Sequence, residues 1–340
     1  MNVHEGLGFS RLSQNEKYAY KIVLKAFSAL DTSFDGSQIG RGIDIMKIIN
    51  VALGDNPNII YFNKTYLSVI TSRLGKKIQL SGCPSRSQII AMNSELENKA
   101  NSIISSLFRS GDDEYTLLIK IYEYIQNTIR YDKQEFVDSA RGRSTRPLSH
   151  NAYGALINRL AVCDGFSSAF TLLSQKLGFE CMQVTGRSTY GSNGPVDHAW
   201  NIIQCRNNYY HMDATWDTNQ CAERGAFSYD YFALTNKEIA NDHTWNVSTT
   251  PVCSSNDLSY YLRNGLYAGN AYQMMDIFRV AVKNRKVPLR VKLSSALALP
   301  QNAGKYLAQS LLKEATRAGG SAQVNYGWNE HTRCFFARFL

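Results

Sequence analysis

Apolar positions recur at helical spacing in four places along the first 180 residues. Ala19, Ile22, Val23, Ala26, Phe27 and Leu30 follow the capping box Ser13-Gln14-Asn15-Glu16, so a helix is expected over roughly 14–30. Ser94-Glu95-Leu96-Glu97 has the same form and is expected to open a helix to about residue 108. Asp112-Asp113-Glu114 places three acids where a helix dipole favours them. Behind them Leu117, Leu118, Ile121, Ile125 and Ile129 make one apolar face that ends near Tyr131. The fourth run, 163–177, has Phe166, Ala169, Phe170, Leu173 and Leu177 at helical spacing and Gly178 just past its end.

Short apolar or alternating runs mark strands at 58–62, 77–80, 180–186, 198–204 and 209–215. The polar turn Cys205-Arg206-Asn207-Asn208 joins the last two. Residues 43–53 show no clean period. Residues 132–149, with Arg141, Arg143 and Arg146, read as a mobile surface loop. Beyond 255, strand-like runs lie at 277–282, 288–293 and 333–340, with a helix expected over about 302–317.

Composition narrows the class. The chain has 340 residues, 44% hydrophobic and 19% charged, which is ordinary globular composition. No apolar stretch approaches the ~18 residues of a spanning helix. The opening MNVHEGLGFS lacks a basic segment followed by an apolar one, so no export signal is visible. A signal already removed leaves the same picture, and the compartment stays open. The seven cysteines are odd in number, widely spaced and without a C-x-x-C pair. That argues against a cysteine-rich zinc site and against a disulfide framework. The net charge is +9, and residues 251–340 supply 12 basic against 4 acidic groups. Such a tail is ordinarily a solvated face. Its functional reading is contact with an acidic polymer or a cell surface, and no nucleic-acid motif accompanies it.

The candidate chemistry centres on one thiol. A nucleophilic cysteine needs a helix N-terminus or an imidazole to support the thiolate, and a third group to orient the imidazole. Cys163 opens the fourth helix, and Gly165 leaves room for close approach of another chain or a substrate. Strand alternation puts His198, Trp200 and Ile202 on one face, and Tyr209, His211 and Asp213 on one face of the partner strand. His198 and Asp213 come within about one register step of facing each other across the expected turn. Trp200 and Trp216 read as core residues or as walls of the cleft. His211 reads as a hydrogen-bonded structural residue, and His150 and His243 as surface residues.

Four segments together carry a resemblance. They are Ala161-Val162-Cys163-Asp164-Gly165-Phe166-Ser167, Val184-Thr185-Gly186, Asp197-His198-Ala199-Trp200-Asn201 and Tyr210-His211-Met212-Asp213-Ala214-Thr215-Trp216-Asp217. In this order and spacing the chain resembles the transglutaminase-like superfamily, whose bacterial members read roughly C-x-G-[FY]-[AS], then G, H-A-W-N and D-x-T-W. Ile129-Arg130-Tyr131-Asp132, Ala152-Tyr153-Gly154-Ala155-Leu156 and Tyr231-Phe232-Ala233-Leu234 extend it over about residues 112–240. Asp164 departs from the pattern, where Glu or Gln is commoner.

The resemblance implies an α+β, papain-like core: a Cys-bearing helix packed on an antiparallel sheet that carries His and Asp. The N-terminal extension is then expected over 1–110, mostly helical, the core over 111–250 and a basic α+β region over 251–340. The resemblance implies acyl transfer at a protein or peptide amide through a thioester, with no metal or organic cofactor. Cys163 would be the nucleophile, His198 the acid/base and Asp213 the orienting group. The Cys163 backbone N–H would hold the oxyanion, with Tyr153 a candidate second donor. A cysteine peptidase or glutamine deamidase on the same triad is the first alternative. A non-catalytic binding module with this fold is the second, and a polyanion-binding protein driven by the basic tail the third.

Overall fold

The structure is a computed structural model that describes residues 3–62, 67–72, 75–189, 194–285 and 287–340. At its centre is a five-stranded antiparallel sheet. The strands run, edge to edge, His243–Trp245, Cys181–Thr189, Pro195–Cys205, Asn208–Met212 and Phe232–Leu234. The helix Cys163–Lys176 packs on this sheet, and the helix Glu114–Thr128 packs behind it. Phe166, Ala169, Phe170 and Leu173 from the first helix meet Leu118, Ile121, Tyr122 and Ile125 from the second in one buried cluster. Burying each large side chain here contributes about 1.5–3 kcal/mol. Asn201 then fixes the register of helix on sheet, its amide donating to Thr171 Oγ1 at 2.9 Å and to the Ser167 carbonyl at 3.2 Å.

Two glycines allow the close crossings that this packing needs. A Cβ at Gly165 would stand 2.4 Å from the Ser149 carbonyl oxygen, so only glycine lets residues 149–151 cross the first turn of the Cys163 helix. A Cβ at Gly186 would stand 2.2 Å from the Thr244 carbonyl oxygen and 2.8 Å from the Trp200 ring. Glycine there brings the edge strand His243–Trp245 up against Trp200.

The N-terminal region places helices Gln14–Ser28 and Ile45–Asp55 beside a three-stranded sheet of Ser33–Asp35, Gly75–Leu80 and Leu67–Ser72. The helix Ile45–Asp55 falls where the sequence has no clean period. Ile45, Ile48, Ile49 and Ala52 are its buried stripe, but the apolar Met46, Val51 and Leu53 stand among them and blur the contrast that marks a period. The strand expected at 58–62 is a buried irregular segment. Ile60 joins the central cluster while Ile59, Tyr61 and Phe62 join the N-terminal one, so a segment buried between two cores reads as a strand. The helix expected from Ser94 is Arg86–Leu107, because Ser85 and Gln88 form the working capping box upstream.

The stretch 132–149 is not a mobile surface loop. It contains the helix Lys133–Ala140 and a short 3-10 turn, Pro147–His150. Asp132, Glu135, Ser144 and Ser149 within it are buried.

In the C-terminal region a sheet ordered Tyr267–Ala268, Leu289–Leu293, Cys334–Phe339, Val324–Asn329 packs with helices Ala271–Lys283 and Ala303–Arg317. The strand expected at 277–282 belongs to the first of these helices, since Met274, Phe278 and Val282, four apart, are its buried positions. Several basic side chains are committed internally. Lys292 pairs with Glu238 at 2.6 Å, Arg279 with Glu314 at 3.2 Å, and Arg333 donates to the Leu297 carbonyl at 2.6 Å. Arg290 donates to the Phe227 carbonyl and lies over the Tyr229 and Phe336 rings. Among the described residues no helix is long and apolar enough to cross a membrane.

Candidate active site

Cys163 is the first residue of its helix, and Val162 at the N-cap supplies no side-chain cap. The first-turn N–H groups of a helix have no intrahelical acceptor, and the helix dipole at that end favours an anion. Val162 N–H itself donates to the Ser149 carbonyl, which anchors the entry to the helix. The thiol is half-buried, in contrast to Cys181, Cys205, Cys253 and Cys334, which are buried. Burial pushes the Cys181, Cys205 and Cys253 thiols up to about 12.

His198 comes from the central strand Pro195–Cys205 and is buried. Its Nε2 stands 2.7 Å from Asp213 Oδ2, and the Cys163 side chain is near enough to act on the same imidazole. With Nε2 committed to the carboxylate, Nδ1 is the nitrogen left for the thiol. Burial opposes the imidazolium, but Asp213 and Cys163 outweigh it and raise His198 to about 9.

Asp213 reaches His198 by a route that differs from the expected strand. The ladder pairs Asn201 with Met212 and Cys205 with Asn208, and the strand ends at Met212. Asp213 is the N-cap of a helix, Ala214–Arg224, which a polar run with no apolar stripe conceals in the sequence. Its Oδ1 accepts from the Thr215 and Trp216 N–H groups at 3.0 and 3.1 Å. Its Oδ2 faces His198. One carboxylate thus caps a helix with one oxygen and holds the imidazole with the other. Burial would raise its pKa, but His198 and His243 hold the carboxyl well below the usual range.

His243 is the residue that sequence reasoning placed wrongly. It is buried at the sheet edge, not on the surface. Its Nε2 stands 3.1 Å from the same Asp213 Oδ2, and its Nδ1 stands 2.5 Å from Asp242 Oδ1. No motif marks it, and only its adjacency to Asp242 hints at a pair. His150 is also not free on the surface. It bridges Glu135 at 3.0 Å and Asp164 at 3.3 Å, which ties the 132–150 segment to the residue after Cys163. Burial opposes the His150 charge, and the two carboxylates win.

His211 is structural. Its Nδ1 accepts from Trp200 Nε1 at 2.9 Å, so its proton sits on Nε2, which donates to Asn236 Oδ1 at 2.9 Å. Burial lowers it to about 4, consistent with a neutral ring. Trp200 is buried and stacks on His198 at 5.9 Å with an interplanar angle of 19°. Trp216 stands 6.0 Å from His198 and lines a cavity of about 530 Å³ with Thr189, Tyr231, Trp328 and Asn329. That cavity opens on the Trp216 side of the imidazoles, and Cys163 does not line it. Tyr153 sends its hydroxyl to Glu95 on the helix Arg86–Leu107, which raises the phenol to about 12.

His198, Asp213 and His243 bring three donor or acceptor atoms within 4.8 Å of one another. Here those atoms hydrogen-bond each other directly.

A helix bearing a thiol, laid on an antiparallel sheet bearing an imidazole, is an α+β papain-like core. Residues 101–214 match the family model described as transglutaminase-like superfamily. The chain is 24% identical over 123 residues to mouse (Mus musculus) kyphoscoliosis peptidase. That match covers 34% of this chain and 18% of the mouse protein, so the chain spans less than a fifth of that relative's length. Among solved structures, one described as a TGase is 15% identical, with 44% of this chain and 43% of that chain covered and a TM-score of 0.33. Another, described as a candidate cysteine protease from Cytophaga hutchinsonii, is 13% identical, with 44% and 61% covered and a TM-score of 0.28.

Proposed function

We propose that this protein is a cysteine-dependent enzyme that performs acyl transfer at a protein or peptide amide, with Cys163, His198 and Asp213 as its triad. The observation that carries the reading is the buried His198–Asp213 pair at 2.7 Å, with Cys163 at a helix start near enough to raise the same imidazole. In this mechanism the Cys163 thiol passes its proton to His198 Nδ1, and the sulfur attacks the amide carbonyl. The Cys163 backbone N–H holds the oxyanion. The C–N bond then breaks, the amine leaves with the proton from Nδ1, and a thioester remains. An incoming amine or water, deprotonated by His198, releases the acyl group and the free thiol. Asp213 stays ionised throughout and supports the imidazolium.

A second reading differs only in the acceptor. The mouse relative is named a peptidase, which favours water over an amine. Product analysis with a peptide substrate and an excess of primary amine separates the two, since only transfer incorporates the amine.

The deciding experiment is iodoacetamide labelling of Cys163 across pH, followed by peptide mapping, in wild type and His198→Ala. The expected result is rapid labelling of wild-type Cys163 below pH ~8, with the substitution moving the profile upward. Identical profiles in the two proteins sink the reading and bring the non-catalytic module forward.

A further inference from the structure

We propose that His243, held in place by Asp242, is a positioning residue that fixes Asp213 and shares its charge, so that His198 keeps a transferable proton. The inference rests on the triad reading above and adds a buried pair outside residues 101–214, the span of the family match.

Three observations carry it. First, every acceptor direction of Asp213 is filled from within the protein. Oδ1 takes two backbone N–H groups, and Oδ2 takes one ring nitrogen from His198 and one from His243. A carboxylate so filled has no freedom to rotate away from His198. Second, His243 is itself fixed from the far side. Asp242 Oδ1 holds its Nδ1, Tyr231 donates to Asp242 Oδ2 at 2.5 Å, and Asn329 donates to the Tyr231 hydroxyl at 3.2 Å. Third, buried ion pairs give little or no net stability against an apolar replacement, so four buried ionisable groups in a row need another reason to be there.

The ionisable groups around His243 are Asp213, Asp242, Tyr231, His198 and the neutral His211, with Trp200 and Trp216 as apolar walls. Like His198, His243 is raised to about 9, burial being outweighed by Asp213 and Asp242. Two imidazolium rings then divide one Asp213 charge. Without His243, Asp213 acts on His198 alone and Asp242 adds an unbalanced negative charge nearby. His198 would hold its proton more tightly and give it up less readily to a leaving amine.

The test uses the full chain with His243→Gln and His243→Leu, and ¹⁵N-histidine NMR to follow the His198 ring. In the folded Gln variant the His198 midpoint should rise by about one pH unit. Turnover should fall about tenfold, with KM unchanged and the alkaline limb of the pH profile displaced the same way. A midpoint that stays or falls overturns the proposal, as does full turnover. Should neither variant fold, wild type still decides it. Coupled rings titrate with two inflections each, and single independent steps overturn it. Cys163→Ala separates the two claims. An active Cys163→Ala protein sinks the triad reading. A dead one, together with an unmoved His198 midpoint in His243→Gln, sinks only this inference.

Discussion

The buried cluster that links His198 to the sheet edge and the C-terminal region, residues 251–340, both carry concentrated ionisable chemistry, and they handle it in opposite ways. In that cluster His198, Asp213, Asp242 and His243 are buried and bonded to one another in a line. Their charges act at short range in a weakly screened interior, which is where a proton can be held or moved. In the C-terminal region the charge is larger on paper and spread over the fold. Lys292 is spent on Glu238, Arg279 on Glu314, and Arg290 and Arg333 on backbone carbonyls. Charge counted along a chain therefore says little about where charge does chemistry. Four groups near neutrality outweigh an excess of eight.

The largest expected effect follows from the Asp213 carboxylate. Asp213→Asn keeps a helix cap, since Asn caps nearly as well as Asp. It removes the anion that His198 and His243 share. Turnover is expected to fall about 10³–10⁴-fold, the scale seen when the orienting carboxylate of a triad becomes an amide. The matching change in the other region, Arg290→Gln, should leave turnover within about twofold. Equal losses from the two variants would erase the contrast between the regions.

How much of this was legible in the sequence depends on what each signal measures. The Cys163 helix is visible because Phe166, Ala169, Phe170 and Leu173 form one apolar face in the central cluster and a glycine follows its end. The expected pairing of His198 with Asp213 holds in the structure, but through the first turn of a helix instead of across a ladder. The helix Ala214–Arg224 is hidden because its run Thr-Trp-Asp-Thr-Asn-Gln has no apolar stripe to read. Its buried positions include Asp217, whose oxygens accept from Ser228 and from the Asp230 and Tyr231 N–H groups. His243 is hidden for a different reason. It sits on a three-residue edge strand, 30 residues beyond Asp213, and only the pairing of that strand with Cys181–Thr189 brings it inward. Local periodicity reports one neighbour face, and it cannot report a side chain delivered by a distant strand.

A smaller effect, on stability, comes from the same cluster. His198 and His243 are raised on folding from 6.5 to about 9. Their contribution is fully present below pH 6.5 and is lost as pH rises through about 9. His211 is lowered from 6.5 to about 4, so its contribution is present above 6.5 and is lost as pH falls through about 4. The contribution of these three rings is therefore greatest near pH 6.5 and falls on both sides. In Asp213→Asn the alkaline fall in Tm should flatten, because the anion that raises both rings is gone. An unchanged alkaline slope in that variant would mean that the fall arises elsewhere and that the cluster is weakly coupled.

The smallest expected effect concerns the basic region and an acidic polymer. Removing residues from 255 onward cannot test it. Leu258, Tyr261 and Cys334 belong to the central apolar cluster, and the Tyr261 hydroxyl donates to buried Asp230. Truncation would open the core and change heparin retention for the wrong reason. Lys283, Lys305 and Lys313 are exposed, and their replacement leaves the packing intact. The triple variant Lys283→Gln, Lys305→Gln, Lys313→Gln should elute from heparin at slightly lower salt than wild type, with turnover and Tm unchanged. Exposed charges act through salt water, where a Debye length is ~8 Å at physiological ionic strength, so three of them shift retention only modestly. A large loss of retention would show a focused anion-binding face after all. It would mean that the C-terminal region, like the buried cluster, concentrates its charge at one place.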